Sequence, residues 1–169
     1  MKKAWFLMAA LLLVFLFASP THAVSAKTMV ADLLAKTGLN YQPLNEHDNI
    51  WSLPYVGLEN LDEIEIYVWA REAGYVTIYA TVFYLEQEPP KSLLWRLLEF
   101  NDRMLGMKYL IRDDPDEKGA YLIDCQIDLS LTSINARELK EAIENLVLEI
   151  DEDYPELESF LTQVIGRSA

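Results

Sequence analysis

Residues 62–85 have the sequence DEIEIYVWAREAGYVTIYATVFYL, and this stretch decides the fold. Aliphatic side chains recur at every second position on both sides of Glu72-Ala73-Gly74. A period of two is typical of β-strands, and a glycine-containing connection of this length is typical of a tight turn. The stretch therefore predicts two adjacent antiparallel strands, residues 62–71 and 74–85.

The two predicted faces of these strands differ in chemistry. The aliphatic face carries Ile64, Ile66, Val68 and Ala70 on the first strand, and Val76, Ile78, Ala80 and Val82 on the second. The opposite face is the candidate protein-binding face and carries Tyr67, Trp69, Tyr75, Tyr79 and Phe83, with threonines between. If helices cover the aliphatic face, the aromatic face stays partly open, and exposed Tyr and Trp are typical of protein-binding surfaces. The alternative is that a terminal segment of the chain covers it.

The flanking sequence predicts the remaining elements of one domain. They are a helix at 28–39, a strand at 49–55, a helix at 92–104, strands at 107–112 and 121–131, a helix between 135 and 150, and a last short helix at 155–165. The chain order is thus helix, three-stranded meander, helix, two-stranded hairpin, helix. This order predicts an α+β fold with helices on one face of a five-stranded antiparallel sheet.

The N-terminal region has the pattern of a signal peptide. Met1-Lys2-Lys3 is followed by uncharged, apolar residues 4–18 and then by small residues before two possible cut positions, after Ala23 or after Ala26. We expect a signal peptide at 1–26 and a single mature domain at 27–169, located in the periplasm or secreted. The alternative is a permanent membrane anchor, but the apolar run is shorter than the roughly 20 residues that a spanning helix needs.

The charge of the chain limits its partners. The net charge is −13, and removal of Lys2 and Lys3 with the leader leaves 12 basic and 27 acidic residues, a net charge of −15. Such a charge repels nucleic acid and anionic lipid headgroups, so we expect neither as a partner. Solubility is a sufficient reason for the acidity, and a patch for a basic partner is the alternative.

Few residues of the predicted mature chain suit catalysis. It contains one cysteine and one histidine, Cys125 and His47, and its glycines form no phosphate-binding motif. A catalytic triad or a zinc site would have to be built around a single imidazole. The alternation around Cys125 places it on an apolar strand face, which predicts a buried thiol, and His47 lies in a polar connection. We therefore expect no enzyme activity and no cofactor.

Two acidic segments are considered as metal sites. Residues 113–119 resemble the start of a calcium loop, but Lys118 and Cys125 stand where that loop needs oxygen ligands. A solvated hairpin tip is the better interpretation. A second cluster lies near the C-terminus and comprises Glu149, Asp151, Glu152, Asp153, Glu156 and Glu158. We expect a solvated helix end there, with a weak divalent-ion site as the alternative, and we assign no metal ligand.

Residues 92–161 resemble the YbjN-like family. The resemblance rests on Leu97-Leu98-Glu99-Phe100-Asn101 before Gly106, and on three later motifs: Tyr121-Leu122-Ile123-Asp124, Asn135-Ala136-Arg137-Glu138-Leu139 and Tyr154-Pro155-Glu156-Leu157. It implies the fold of the class I type III secretion chaperones and a small, commonly dimeric binding module without catalysis. It implies no active-site residues. The cytoplasmic task of those chaperones does not carry over, because this chain is predicted to be exported.

Two functions follow as hypotheses. The first is an exported, non-enzymatic module that binds a protein, a peptide or its own copy through the aromatic face or an edge strand. The second is a carrier of a small ligand or ion, with a pocket between the sheet and the helices.

Overall fold

A computed structural model describes residues 24–45 and 49–165. The elements in chain order are α1 (Ala26–Thr37), β1 (Gln42–Pro43), β2 (Ile50–Val56), β3 (Glu63–Arg71), β4 (Tyr75–Leu85), α2 (Lys91–Arg103), β5 (Met107–Asp113), β6 (Tyr121–Ser130) and α3 (Ala136–Ile165). Residues 1–23 of the predicted signal peptide, and His47, lie outside the described ranges. No helix within those ranges is long and apolar enough to cross a membrane.

All strands belong to one antiparallel sheet with the order β1-β2-β3-β4-β6-β5. The predicted α+β class is confirmed, but the predicted strand count was wrong, because the described sheet has six strands rather than five. The additional strand is β1, in which Gln42 and Pro43 pair with Ser52 and Trp51. A strand of two residues is too short to show an alternating pattern, so periodicity does not detect it.

The core lies between one sheet face and the helices. The alternating side chains Ile64, Ile66 and Val68 of β3 are buried there. Helix α1 adds Val30 and Leu34, both fully buried, and α2 and α3 add further apolar side chains to the same cluster. The turn between β3 and β4 forms as predicted, since Gly74 has the positive φ of 81° that this tight turn requires.

The C-terminal helix is continuous, whereas the sequence predicts a break before Pro155. A proline has no N–H for the carbonyl four residues earlier, which is here the carbonyl of Asp151. Asn60 Nδ2 donates to this carbonyl instead, at 2.9 Å. The helix therefore passes through Pro155 without leaving the Asp151 carbonyl unsatisfied.

The Asp151 side chain fixes the β2–β3 loop to α3. It is 6% exposed, and its carboxylate accepts the backbone N–H groups of Glu59 at 3.1 Å, Asn60 at 2.9 Å and Leu61 at 2.9 Å. The prediction that Asp151 belongs to a solvated acidic helix end was therefore wrong. A carboxylate with three backbone donors can be buried without a metal ion, because the donors replace its hydration.

Candidate functional site

The sheet surface opposite the helices is the candidate site and is called the open face. It includes Glu65, Tyr67, Trp69 and Arg71 of β3, Tyr75, Thr77, Tyr79 and Thr81 of β4, Lys108, Leu110 and Arg112 of β5, and Asp124, Gln126 and Asp128 of β6. The buried apolar residues of the three described helices belong to the core on the other side of the sheet.

Aromatic side chains form the middle of the open face. Tyr67 and Tyr79 are directly opposite each other on β3 and β4, and their rings stack with centroids 5.2 Å apart. Burial raises the pKa of both phenols above the ordinary value, so both remain neutral donors at physiological pH. Trp69 is 37% exposed, and the Arg71 guanidinium lies 3.8 Å from the centroid of its ring. Four of the five predicted aromatic residues, Tyr75 included, thus lie on one surface.

Phe83 does not belong to this surface, and its assignment to the aromatic face was wrong. The register of β4 against β6 shifts between Thr81 and Phe83, which marks a β-bulge. An extra residue reverses the direction of the side chains that follow it. Phe83 is consequently paired with Ile123 and stacks on Tyr154 of α3, with ring centroids 5.1 Å apart. It contributes to the packing of α3 instead.

The structure adds two groups of polar side chains that the sequence analysis did not include in the site. In the first, Thr77 donates to Asp128 at 2.6 Å, and Lys108 forms an ion pair with the same carboxylate at 3.3 Å. In the second, Thr81 donates to Asp124 at 2.7 Å, and Arg112 forms an ion pair with that carboxylate. In each group the threonine lies on β4, the aspartate on β6 and the basic residue, Lys108 or Arg112, on β5.

The carboxylates of these two groups are satisfied within the protein. Asp124 is almost fully buried and is held by its threonine and arginine partners. For Asp128, partial burial acts to raise the pKa, but hydrogen bonds from Thr77, Lys108 and Gln126 outweigh it and hold the pKa below the ordinary value. Both groups are therefore fixed, charge-balanced parts of the surface.

The open face is concave and encloses a groove of about 580 Å³. Its floor contains Tyr67, Trp69 and Tyr79, and the two polar groups contribute Thr77, Thr81, Arg112, Asp124 and Asp128 to its lining. Leu44 lines one side, and Pro115 and Asp116, from the loop between β5 and β6, line another. The groove thus crosses several strands of the sheet and presents flat aromatic surface beside hydrogen-bonding groups.

The described residues include neither a metal-ligand cluster nor an accessible thiol. Among them, no group of three or more His, Cys, Asp and Glu side chains could hold a metal ion. Cys125 is fully buried on the core face of β6, and burial raises the pKa of its thiol far above the ordinary value. A thiol in that state is a poor nucleophile.

The acidic cluster on α3 has a mixed environment. Glu156 forms ion pairs with Arg96 and Arg103 of α2. Asp153 is partly buried, and burial together with the charge of Glu149 raises the pKa of its carboxyl group above the ordinary value. Only part of the predicted solvated cluster is therefore solvated.

A second surface lies on the outer side of α2. The predicted helix is confirmed, but its apolar residues divide into a buried set, Leu93, Leu97 and Phe100, and an exposed set. The exposed set is called the α2 patch and consists of Leu94, Trp95 and Leu98, together with Leu105 just beyond the helix. Trp95 is 70% exposed and Leu105 is 96% exposed. Apolar side chains that are grouped on a surface in this way mark interaction sites.

Comparisons with known proteins identify the fold alone. No protein-family model matches the chain, and no curated protein matches it in sequence. Among solved structures, the fold is similar to the crystal structure of YbjN from E. coli, a proposed transcription regulator, with a TM-score of 0.56. The match covers 78% of this chain and 90% of the YbjN chain at 12% sequence identity. The predicted YbjN-like fold is thereby confirmed.

Proposed function

We propose that this chain is an exported, non-enzymatic protein-interaction module that binds an extended segment of a partner protein across the open face. The observation that carries this proposal is the groove of about 580 Å³ with Tyr67, Trp69 and Tyr79 in its floor. Rigid aromatic side chains provide a large contact area and lose little conformational entropy on binding, which is why they dominate the energetics of protein interfaces.

The charge of the open face supports a protein partner. Three basic side chains, Arg71, Lys108 and Arg112, stand against four acidic ones, which are Glu65, Asp124 and Asp128 of the open face and Asp116 at the side of the groove. A partner that approaches the open face therefore meets a nearly balanced surface, although the chain as a whole is strongly acidic. YbjN is described as a proposed transcription regulator, but the net charge of −13 on this chain opposes contact with a phosphate backbone.

A small ligand is the second candidate for the groove. A volume of about 580 Å³ lies within the range of roughly 300–1,000 Å³ that is common for small-molecule sites. The groove is on the outside of the sheet, however, and not between the sheet and the helices as the carrier hypothesis requires. On the helix side, the described core contains fully buried side chains such as Phe100, Leu34 and Ile78.

A peptide-display experiment tests the proposal. Random peptides are selected on the mature protein, and the affinities of enriched peptides are measured for the wild type and for the triple variant Tyr67→Ser/Trp69→Ser/Tyr79→Ser. We expect binding to weaken at least tenfold in the triple variant, because it removes the aromatic floor. Leu148→Ser, at an exposed apolar residue of α3 outside both the groove and the α2 patch, serves as the matched control and should bind as the wild type does.

Folding of the triple variant is checked by circular dichroism, since Tyr67 and Tyr79 are partly buried. Unchanged affinity in a folded triple variant would refute the role of the open face. Failure to enrich any peptide, together with saturable binding of a small-molecule library member that the triple variant loses, would favour the ligand carrier.

Self-association is a further part of the proposal, and the α2 patch supports it. Apolar residues three and four positions apart on a helix, such as Trp95 and Leu98 or Leu94 and Leu98, form a stripe that can pack against the same stripe of a second copy. Because the α2 patch and the open face are formed by different elements, a dimer through α2 would leave the groove accessible.

A further inference from the structure

We infer that the leader is removed after Ala23, so that the mature chain begins at Val24. The sequence leaves two positions open, after Ala23 and after Ala26, because small residues precede both. The inference rests on the proposed export. The position at which α1 starts decides between the two possible cuts.

Ser25 starts α1 and belongs to the folded domain. Its backbone is extended, and its Oγ accepts the N–H of Thr28 at 3.2 Å, which is the bond of a helix N-cap. The same Oγ lies 2.9 Å from the Thr28 hydroxyl. The Ser25 carbonyl accepts the N–H of Met29 at 3.0 Å, which is the first main-chain bond of the helix.

The next residue is also part of the domain. Ala26 is the first residue of α1 and packs against the core. Helix α1 places Val30 and Leu34 in the core, and both are fully buried. The first turn of α1 therefore belongs to a helix that packs into the core of the domain.

A cut after Ala26 would damage this helix start. It would remove the Ser25 cap, the acceptor for Met29 and the contact of Ala26 with the core. N–H groups of the first turn would then lose their acceptors within the protein, and a lost N-cap destabilises a helix.

A cut after Ala23 would leave the helix start intact. The new amino group would lie on Val24, which is exposed and precedes the cap. Thr21 and Ala23 would then occupy the two small-residue positions that a signal peptidase recognises. The cleavage site therefore ends before Ser25, the first residue that takes part in the hydrogen bonds of α1.

Intact-mass analysis and N-terminal sequencing of the exported protein test this inference. The full chain is expressed from Met1 with its own leader in a Gram-negative bacterium, and the protein is recovered from the exported fraction and from whole cells. We expect a single product that begins at Val24. A product that begins at Lys27, or at any other internal residue, overturns the inference and leaves export intact, whereas a chain that still begins at Met1 overturns export as well.

A matched pair of substitutions locates the cut independently. Ala23→Phe should abolish the product that begins at Val24, because a large side chain replaces the small residue before the cut. Ala26→Phe should leave that product unchanged. The opposite result, with cleavage lost in the Ala26 variant alone, would place the cut after Ala26.

The stabilising effect of residues 24–26 on the folded domain is tested separately. Chains that begin at Val24 and at Lys27 are released from a fusion partner and compared by thermal unfolding. We expect the shorter chain to melt roughly 2–6 °C lower, because it lacks the Ser25 cap and the contact of Ala26 with the core. Equal melting temperatures would remove the reason for preferring Ala23.

Discussion

Replacing Asp151 by asparagine should destabilise the protein although the side chain keeps its size. Asp151 Oδ1 accepts the N–H groups of Asn60 and Leu61, and Oδ2 accepts the N–H of Glu59. An asparagine can preserve only one of these oxygens. Its amide NH₂ then faces the N–H of Glu59, so that two donors meet at a position where a negatively charged acceptor was present.

The expected loss follows from these bonds. A hydrogen bond to a charged group contributes about 1.5–3 kcal/mol, and Asp151→Asn loses one such bond and weakens two others. Water reaches the exposed Glu59 and Asn60 and reduces the penalty. We expect the free energy of unfolding to fall by about 2–3 kcal/mol, which corresponds to a melting temperature roughly 6–12 °C lower. Asp151→Ala removes all three bonds and should cost about 3–5 kcal/mol.

Urea unfolding at pH 7, followed by circular dichroism, measures this loss. The midpoint should move to lower urea while the slope of the transition stays constant. Glu152→Gln is the control, because it removes the same charge from an exposed neighbour and should change the stability by no more than about 0.5 kcal/mol. If Asp151→Asn matches the wild type within that margin, the attachment of the β2–β3 loop to α3 does not stabilise the fold.

Three further changes have defined outcomes. The triple variant Leu94→Ser/Trp95→Ser/Leu98→Ser should sediment as a monomer at concentrations where the wild type is a dimer, and equal sedimentation of the two proteins would exclude the α2 patch as the contact. Folding lowers the pKa of Asp128, so the charged carboxylate stabilises the folded protein above its ordinary pKa, and this stabilisation is lost as the pH falls through the folded-state pKa. Asp128→Asn should therefore be less stable than the wild type at pH 7, and the difference should shrink below about pH 4. Folding raises the pKa of Asp153, so its negative charge opposes folding. Asp153→Asn should be more stable than the wild type at pH 7 and should lose that advantage as the pH falls to about 4. Urea midpoints of both variants and the wild type, measured from about pH 7 to about pH 4, test the opposite effects predicted for Asp128 and Asp153.

Local periodicity predicts much of this fold because the core face of β3 is uniformly aliphatic. Ile64, Ile66 and Val68 need only alternate in sequence to be placed together on the core side, and the structure confirms that placement. The same argument fails at Phe83, because a bulge depends on how β4 pairs with β6 and leaves no signal in the alternation of β4 alone. It also fails at Pro155, where a side chain from a distant loop satisfies the backbone of α3.

The polar part of the open face could be predicted only in fragments. Thr77 and Thr81 lie between the predicted aromatic residues, and Asp124 and Asp128 alternate with apolar residues along β6. Their association requires the register of β4 against β6, which pairs residues about 40 to 50 positions apart. Helical spacing likewise does not tell which of two apolar stripes on α2 faces the core, so the exposure of Trp95 becomes visible only in the folded protein.

The single thiol can serve as a built-in probe of unfolding. Cys125 lies on a strand that has neighbours on both sides, where it faces Ala80 and Tyr109, and it is fully buried. A thiol reagent can reach it only when the central part of the sheet opens, so the labelling rate would measure that opening without any engineered probe. In an oxidising compartment the same burial prevents crosslinking between native copies. A covalent dimer in a preparation would therefore record that two molecules had previously unfolded.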